Sequence, residues 1–279
     1  MVTITLILFI FVASVVAGCV GALLGLGGGI IIIPFLTLGL GIDIRYAIGA
    51  SVVSVIATSS GAAAAYIRDR ITNIRIGMFL EMATTTGAII GAFLAGLINP
   101  RVLYFIFAMV LGYSTIALFQ RRHVELPEGV VPHPIATKLQ LAGSYYDQVL
   151  QQQVNYISAG VYAGFGTMFI AGIISGLLGI GNGVFKVMAM DMFMKLPMKV
   201  STATSNFMIG VTAAASAGIY FARGYINPAI AAPVALGVVL GAILGTRLMV
   251  RLQNATLRKI FLPFLLYVAL QMLIKGIQG

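Results

Sequence analysis

Hydrophobic positions dominate this chain in long runs, and polar positions gather between them. The runs are roughly 3–40, 46–67, 76–98 and 102–119, then 157–195, 200–222, 228–250 and 257–274. Several approach or exceed the ~20 residues that a helix needs to cross a bilayer. The first run of each set is interrupted by glycine, at "GLGGG" and at "GIGNG". Between the sets lies the most polar stretch, about 120–155, with "RRHVELPEGVVPHP" and "QLAGSYYDQVLQQQVNY". Its prolines and charges mark a linker, with room for a short hairpin or surface helix. The pattern predicts an all-α polytopic membrane protein of three parts: a first membrane repeat over 1–119, a linker over 120–155 and a second repeat over 156–279.

Repetition is visible residue by residue. Displacing the sequence by 154 positions lays "ALLGLGGGI" (22–30) on "GLLGIGNGV" (176–184) without a gap. The same offset matches Ser51 with Ser205, Thr58 with Thr212, Tyr66 with Tyr220 and Asn73 with Asn227. "GAIIG" (87–91) falls on "GAILG" (241–245), and Leu103 and Phe107 fall on Leu257 and Phe261. One unit has been used twice.

Charge then decides the topology. Of 17 Lys and Arg residues, Lys186 sits inside an apolar run and the others flank runs. If every run crosses once, the flanking cations divide evenly between the two faces. If each broken first run enters and returns to its own face, Arg45, Arg101, Arg223 and Lys275 share one side and the other twelve share the opposite side. That bias is what the positive-inside rule expects. Each unit then crosses an odd number of times, so the repeats have inverted topology, each with a Gly-broken first helix, re-entrant or a short span, and three transmembrane helices. Both termini face outward from the cell membrane and the linker is cytoplasmic.

Composition narrows the function. Only 9% of the residues are charged and 60% are hydrophobic, far from the roughly 25% charged typical of soluble domains. The net charge of +10 is spread over helix ends and forms no continuous basic face, which argues against nucleic acid. Cys19 is the single cysteine and His123 and His133 share one loop, so neither a disulfide nor a metal site is expected. "VVAGC" imitates a lipoprotein cleavage site, but no basic leader precedes it and the chain beyond it stays apolar. No nucleotide loop is present, since no Lys-Ser/Thr pair directly follows the glycines. No cofactor is expected, and no enzyme site, because no His, Asp or Cys constellation lies at depth.

Inverted repeats with broken helices are a recurring transporter design, with substrate held near the midplane where the breaks meet. Gly27, Gly28 and Gly29 in the first break, and Gly181, Asn182 and Gly183 in the second, let a backbone or ligand approach closely. The helical arm after each break would direct free N–H groups at it, which suits an anion. Lys186 follows the second break by one turn, where the helix dipole disfavours a cation. Three readings are open for it: contact with a bound anion, pairing with Glu81 of the other half, or reach to the cytoplasmic face. Asp191, five residues on, is better spaced for Lys195. Thr204, Ser205 and Asn206 in "STATSN", together with Ser51, could donate hydrogen bonds to an oxyanion. Glu81 and Asp191 are the candidates for proton coupling.

"SGLLGIGNG" and "GALLGLGGG", each followed by an apolar arm and then a helix start of the "TATSN" kind, resemble the TauE/SafE family of membrane permeases. The resemblance covers both halves. It implies transport of sulfite, sulfonates such as sulfoacetate and related sulfur oxyanions, with members commonly described as exporters. Asn182 and Lys186 depart from it, standing where glycine and an apolar residue are expected. The expected function is secondary transport of such an anion, coupled to protons or driven by the membrane potential. The alternatives are a channel-like or uniport pathway for another small anion or organic acid, and a non-transporting assembly factor. The expected partners are a small anionic substrate and membrane lipid, with a homo-oligomer compatible with both.

Overall fold

The computed structural model describes residues 4–24, 27–120, 133–147, 151–249 and 254–278. Gly25 of the first break, and Arg121 to Pro132 of the linker, lie outside the described residues. The first half comprises α1 (Ile4–Leu24), α2 (Gly29–Pro34), α3 (Ile44–Arg68), α4 (Ile74–Ala95) and α5 (Pro100–Gln120). The linker forms a short helix α6 (Pro134–Lys138) and two strands, β1 (Gly143–Asp147) and β2 (Gln152–Tyr156). The strands pair antiparallel with Tyr145 opposite Val154, the one hairpin among the described residues. The second half comprises α7 (Val161–Leu178), α8 (Gly183–Met188), α9 (Met198–Ala222), α10 (Pro228–Met249) and α11 (Asn254–Gln278).

The 154-residue repeat holds at the level of backbone. Helices α2, α3 and α4 begin and end at the residues that correspond to the bounds of α8, α9 and α10. Both broken arms continue into a π-helical turn at equivalent positions, Phe35–Gly39 and Ala189–Phe193. Both turns close in the same way, with the Ile42 N–H donating to Leu36 O and the Leu196 N–H to Met190 O. Local chemistry sets the helix starts: the Asn73 side chain accepts from the Ile76 N–H at the head of α4, and Pro100 and Pro228 open α5 and α10. Proline suits a first helical position, where no intrahelical N–H bond is lost.

Six helices among the described residues are long and apolar enough to cross a membrane: those within α1, α3, α4, α7, α9 and α10. The apolar arm Gly29–Gly39 is too short, at about 16 Å for a rise of 1.5 Å per residue. The chain is an all-α multi-pass membrane protein. Large apolar side chains such as Leu8, Phe9, Met78, Met82 and Phe93 are exposed on its surface, as lipid-facing residues should be.

Each half leans on the other. Helix α1 packs along α10, α4 along α7, α3 along α9 and α5 along α11. The seams are made by glycine. A Cβ at Gly87 would strike the Phe169 carbonyl oxygen and one at Gly91 that of Ile173, while Gly172 and Gly176 face Thr84 and Ala88 in return. Across the equivalent seam, Gly237 and Gly241 meet the backbone of Phe11 and Val15. In lipid no hydrophobic force separates helix from solvent, so such close backbone approach carries much of the association.

Candidate functional site

Each break turns on left-handed backbone, one described residue in the first and three in the second. Gly27 has φ +73°, Gly179 +62°, Gly181 +69° and Asn182 +48°. Glycine takes these angles at little cost, whereas Asn182 accepts a strained conformation that only short polar side chains adopt at all readily. Helix α7 ends at Gly179, whose N–H donates to Ser175 O. Tyr220, from α9, secures that end by donating its hydroxyl to Gly176 O at 2.8 Å.

The two breaks touch. Ser51 donates its hydroxyl to Gly179 O at 2.6 Å, tying α3 to the second break. A Cβ at Gly29 would collide with the Ser51 hydroxyl and come within 3.1 Å of Gly179 O. One at Gly28 would lie 2.9 Å from Ser54 Oγ, and one at Gly181 at 2.9 Å from Val55. Residues 27–30 and 178–184 are all buried. The contact is close-packed but not wholly apolar, because Ser54 Oγ and Asn182 Nδ2 are buried without a hydrogen-bond partner. Cavities of about 570 and 440 Å³ open away from the breaks, beside Lys275 with Gln271 and beside Arg75 with Gln140.

A second polar group lies alongside. Among the described residues, Glu81, Lys186 and Asp191 are the charged side chains that are buried. Lys186 has no exposed surface, so it does not reach the cytoplasmic face. Its ammonium donates to the Thr212 hydroxyl. Thr212 lies 2.7 Å from Glu81 Oε1 and 2.8 Å from Met208 O, with one hydrogen to give to either. Thr85 donates to the same Glu81 oxygen at 2.8 Å, whereas Glu81 Oε2 is buried with no partner. Thus lysine and glutamate from opposite halves meet through a threonine. Thr212 has only the match to Thr58 at the repeat offset to signal it in the sequence, and Thr85 sits in an undistinguished "TTT".

The remaining candidates scatter. Ser205 lies 3.4 Å from Gly183 O and so touches the start of α8. Asn206 bonds its own helix at Thr202 O. Thr204 instead accepts from the Asn73 N–H at 3.1 Å. Asn73 Nδ2 donates to Leu141 O and to the Tyr156 hydroxyl, so Thr204 belongs to the junction with the linker. Burial pushes the Tyr156 phenol above its ordinary pKa, against the opposing pull of the Asn73 hydrogen bond. Asp191 is buried in the π-turn. The helical arm ends before Lys195, which has φ +56°, so the regular four-residue helical spacing expected to join Asp191 to Lys195 is interrupted.

The model of the sulfite exporter TauE/SafE family matches residues 10–272. The chain belongs to the TauE/SafE family. Among its relatives, the probable membrane transporter protein YunE of Bacillus subtilis (strain 168) is 29% identical over 226 residues, covering 77% of this chain and 78% of that one. The probable membrane transporter protein YdhB of the same organism is 26% identical over 223 residues, 80% of each. No solved structure matches it. This TauE/SafE chain is therefore a multi-pass membrane transporter and not an enzyme.

Proposed function

We propose that the chain is a secondary transporter, working as an exporter, for a small sulfur-containing oxyanion such as sulfite or an organosulfonate. The observation that carries this reading is Lys186: a fully buried cation one turn past a glycine break, whose hydrogen-bond partner is a neutral hydroxyl. A charged side chain at membrane depth is costly and marks a functional site by default. The family supports a transported small molecule, and its description as a family of sulfite exporters supports the sulfur oxyanion.

Alternating access has its natural axis between the breaks. The equal element bounds and the packing of each first helix on the other half support two inverted repeats about a shared centre. Rocking the halves would part Gly27, Gly28, Gly29 and Ser51 from Gly181, Asn182 and Gly183, admitting an anion toward Lys186, Ser205 and the unpartnered Asn182 amide. Asn206, one helical position beyond Ser205, would contribute from the flank. Both termini lie outside and the linker lies in the cytoplasm.

Purified protein in vesicles should take up sulfite or an organosulfonate with saturation and against a gradient, and Lys186→Ala should weaken apparent affinity while eluting as a folded species. Unsaturable flux would indicate a channel-like pathway, and unchanged kinetics in Lys186→Ala would remove that residue from the site. For sidedness, Gln153→Cys in a Cys19→Ala background should resist impermeant thiol reagents on intact cells, whereas Gln278→Cys should react. The reverse pattern would overturn the orientation.

A further inference from the structure

We propose that the chain Glu81–Thr212–Lys186 makes anion binding take up one proton, with Glu81 as the proton acceptor and Thr212 as the switch between two hydrogen-bond states. This rests on the functional reading above and adds the coupling ion, its acceptor atom and its stoichiometry.

Charge balance is the first argument. Lys186⁺ and Glu81⁻ neutralise one another through Thr212. A monovalent anion entering against Lys186 would leave a net negative charge in a buried, water-poor site, which is strongly unfavourable. One proton delivered to Glu81 restores neutrality, so anion and proton bind and move together as a neutral pair, and net export then runs down the anion's own outward gradient, against any inward proton gradient.

Hydrogen-bond capacity is the second. Glu81 Oε1 is committed to Thr85 and Thr212, while Oε2 is buried and unused. A proton can join Oε2 without displacing any bond on Oε1. Thr212 has a single hydroxyl hydrogen and two acceptors at nearly equal range, Glu81 Oε1 at 2.7 Å and Met208 O at 2.8 Å. It can therefore turn to its own helix when Glu81 becomes neutral, with little loss of bonding. Lys186 holds three N–H donors, leaving donors for an oxyanion.

The surroundings leave few competing titratable groups. Helix α7, packed along α4, carries Tyr162, which is exposed, and no charged side chain. Helix α9 adds Lys199 near its start and Tyr220, which is bonded to Gly176 O. Arg75 lies at the start of α4 itself, bonded to Gln140. Asp191, on the arm that carries Lys186, is the other buried carboxylate and serves as the control.

The test uses vesicles reconstituted with the full chain, the membrane potential clamped, and methanesulfonate as probe because its single charge is constant over the working pH range. Wild-type uptake should be insensitive to potential, and apparent affinity should rise about tenfold per unit fall in pH while Glu81 is ionised in the free protein, the slope for one proton. Glu81→Gln should abolish the pH dependence and make any remaining flux potential-driven, whereas Asp191→Asn should retain the wild-type slope. Thr212→Ser should keep the slope and Thr212→Val should flatten it. Infrared difference spectra on adding methanesulfonate, sulfite or sulfate should show a new carboxylic-acid C=O band, missing in Glu81→Gln and present in Asp191→Asn. A wild-type slope surviving in Glu81→Gln, or anion binding without the band, overturns the coupling while leaving anion transport intact. Failure of the wild type to bind or carry any of the three anions overturns the functional reading and the coupling with it.

Discussion

Alanine at Gly91 should loosen the protein, and alanine at Gly218 should tighten it. At Gly91 the added methyl would overlap the Ile173 carbonyl oxygen and lie 2.9 Å from both the Ile173 carbonyl carbon and the Leu177 nitrogen. These are backbone atoms of α7, so no side chain can swing aside. The helix itself must retreat, which weakens the neighbouring contacts at Gly87, Gly172 and Gly176 along the same seam. Overpacking of this kind costs about 1–3 kcal/mol, against a gain of roughly 0.5–1 kcal/mol for replacing glycine within a helix. At Gly218 a Cβ meets no atom within 4 Å, so the gain stands alone. For a chain of this size about 1 kcal/mol moves the melting temperature by roughly 2–4 °C. Gly91→Ala should therefore melt a few degrees below wild type and Gly218→Ala slightly above it. The chain has no tryptophan, so the assay is heating in mild detergent followed by size-exclusion of the surviving folded fraction. Equal shifts of the same sign in both variants would refute the idea that backbone contact across α4 and α7 holds the halves together.

Ser51→Ala should lose a short buried bond to Gly179 O, worth about 1 kcal/mol, and lower thermal stability measurably; Ser205→Ala, whose bond is long, should lose less in the same detergent assay. Asn73→Ala removes the α4 cap and two bonds to the linker region, so it should cost about 1–2 kcal/mol and expose the hairpin to limited proteolysis at a protease dose that spares wild type. The raised Tyr156 pKa favours the neutral phenol in the folded protein. Its contribution is complete below the unfolded value of about 10 and is lost as pH climbs through the higher folded value. Proteolysis of the hairpin should accordingly accelerate above pH 10, and Tyr156→Phe should weaken that dependence.

Much of the fold was legible because membrane helices declare themselves by length and apolarity, and because the repeat doubled every signal. The ungapped offset anticipated equal helix bounds, and the glycine clusters anticipated both breaks. The hairpin was legible only as a polar stretch in which strand and surface helix were equally allowed. At the site, the sequence exposed Lys186 and Glu81 as charges in apolar runs, since such residues are rare there. It could not reveal Thr212 as their bridge: a threonine in a membrane helix ordinarily bonds its own backbone, and only tertiary placement distinguishes one that does more. Thr204 misled for the complementary reason. Its proximity in sequence to Ser205 suggested a shared site, but neighbours on a helix point about 100° apart, and Thr204 turns toward Asn73.

The interlocking of the halves bears on how the molecule is made. During synthesis α1 enters the bilayer long before α10, the helix that packs along it, which begins at Pro228. Until then α1 waits among lipids without that partner, and so does α4 until α7 arrives. Biogenesis is thus a matter of late closure, and severed halves produced together should find each other where either one alone would be cleared by quality control.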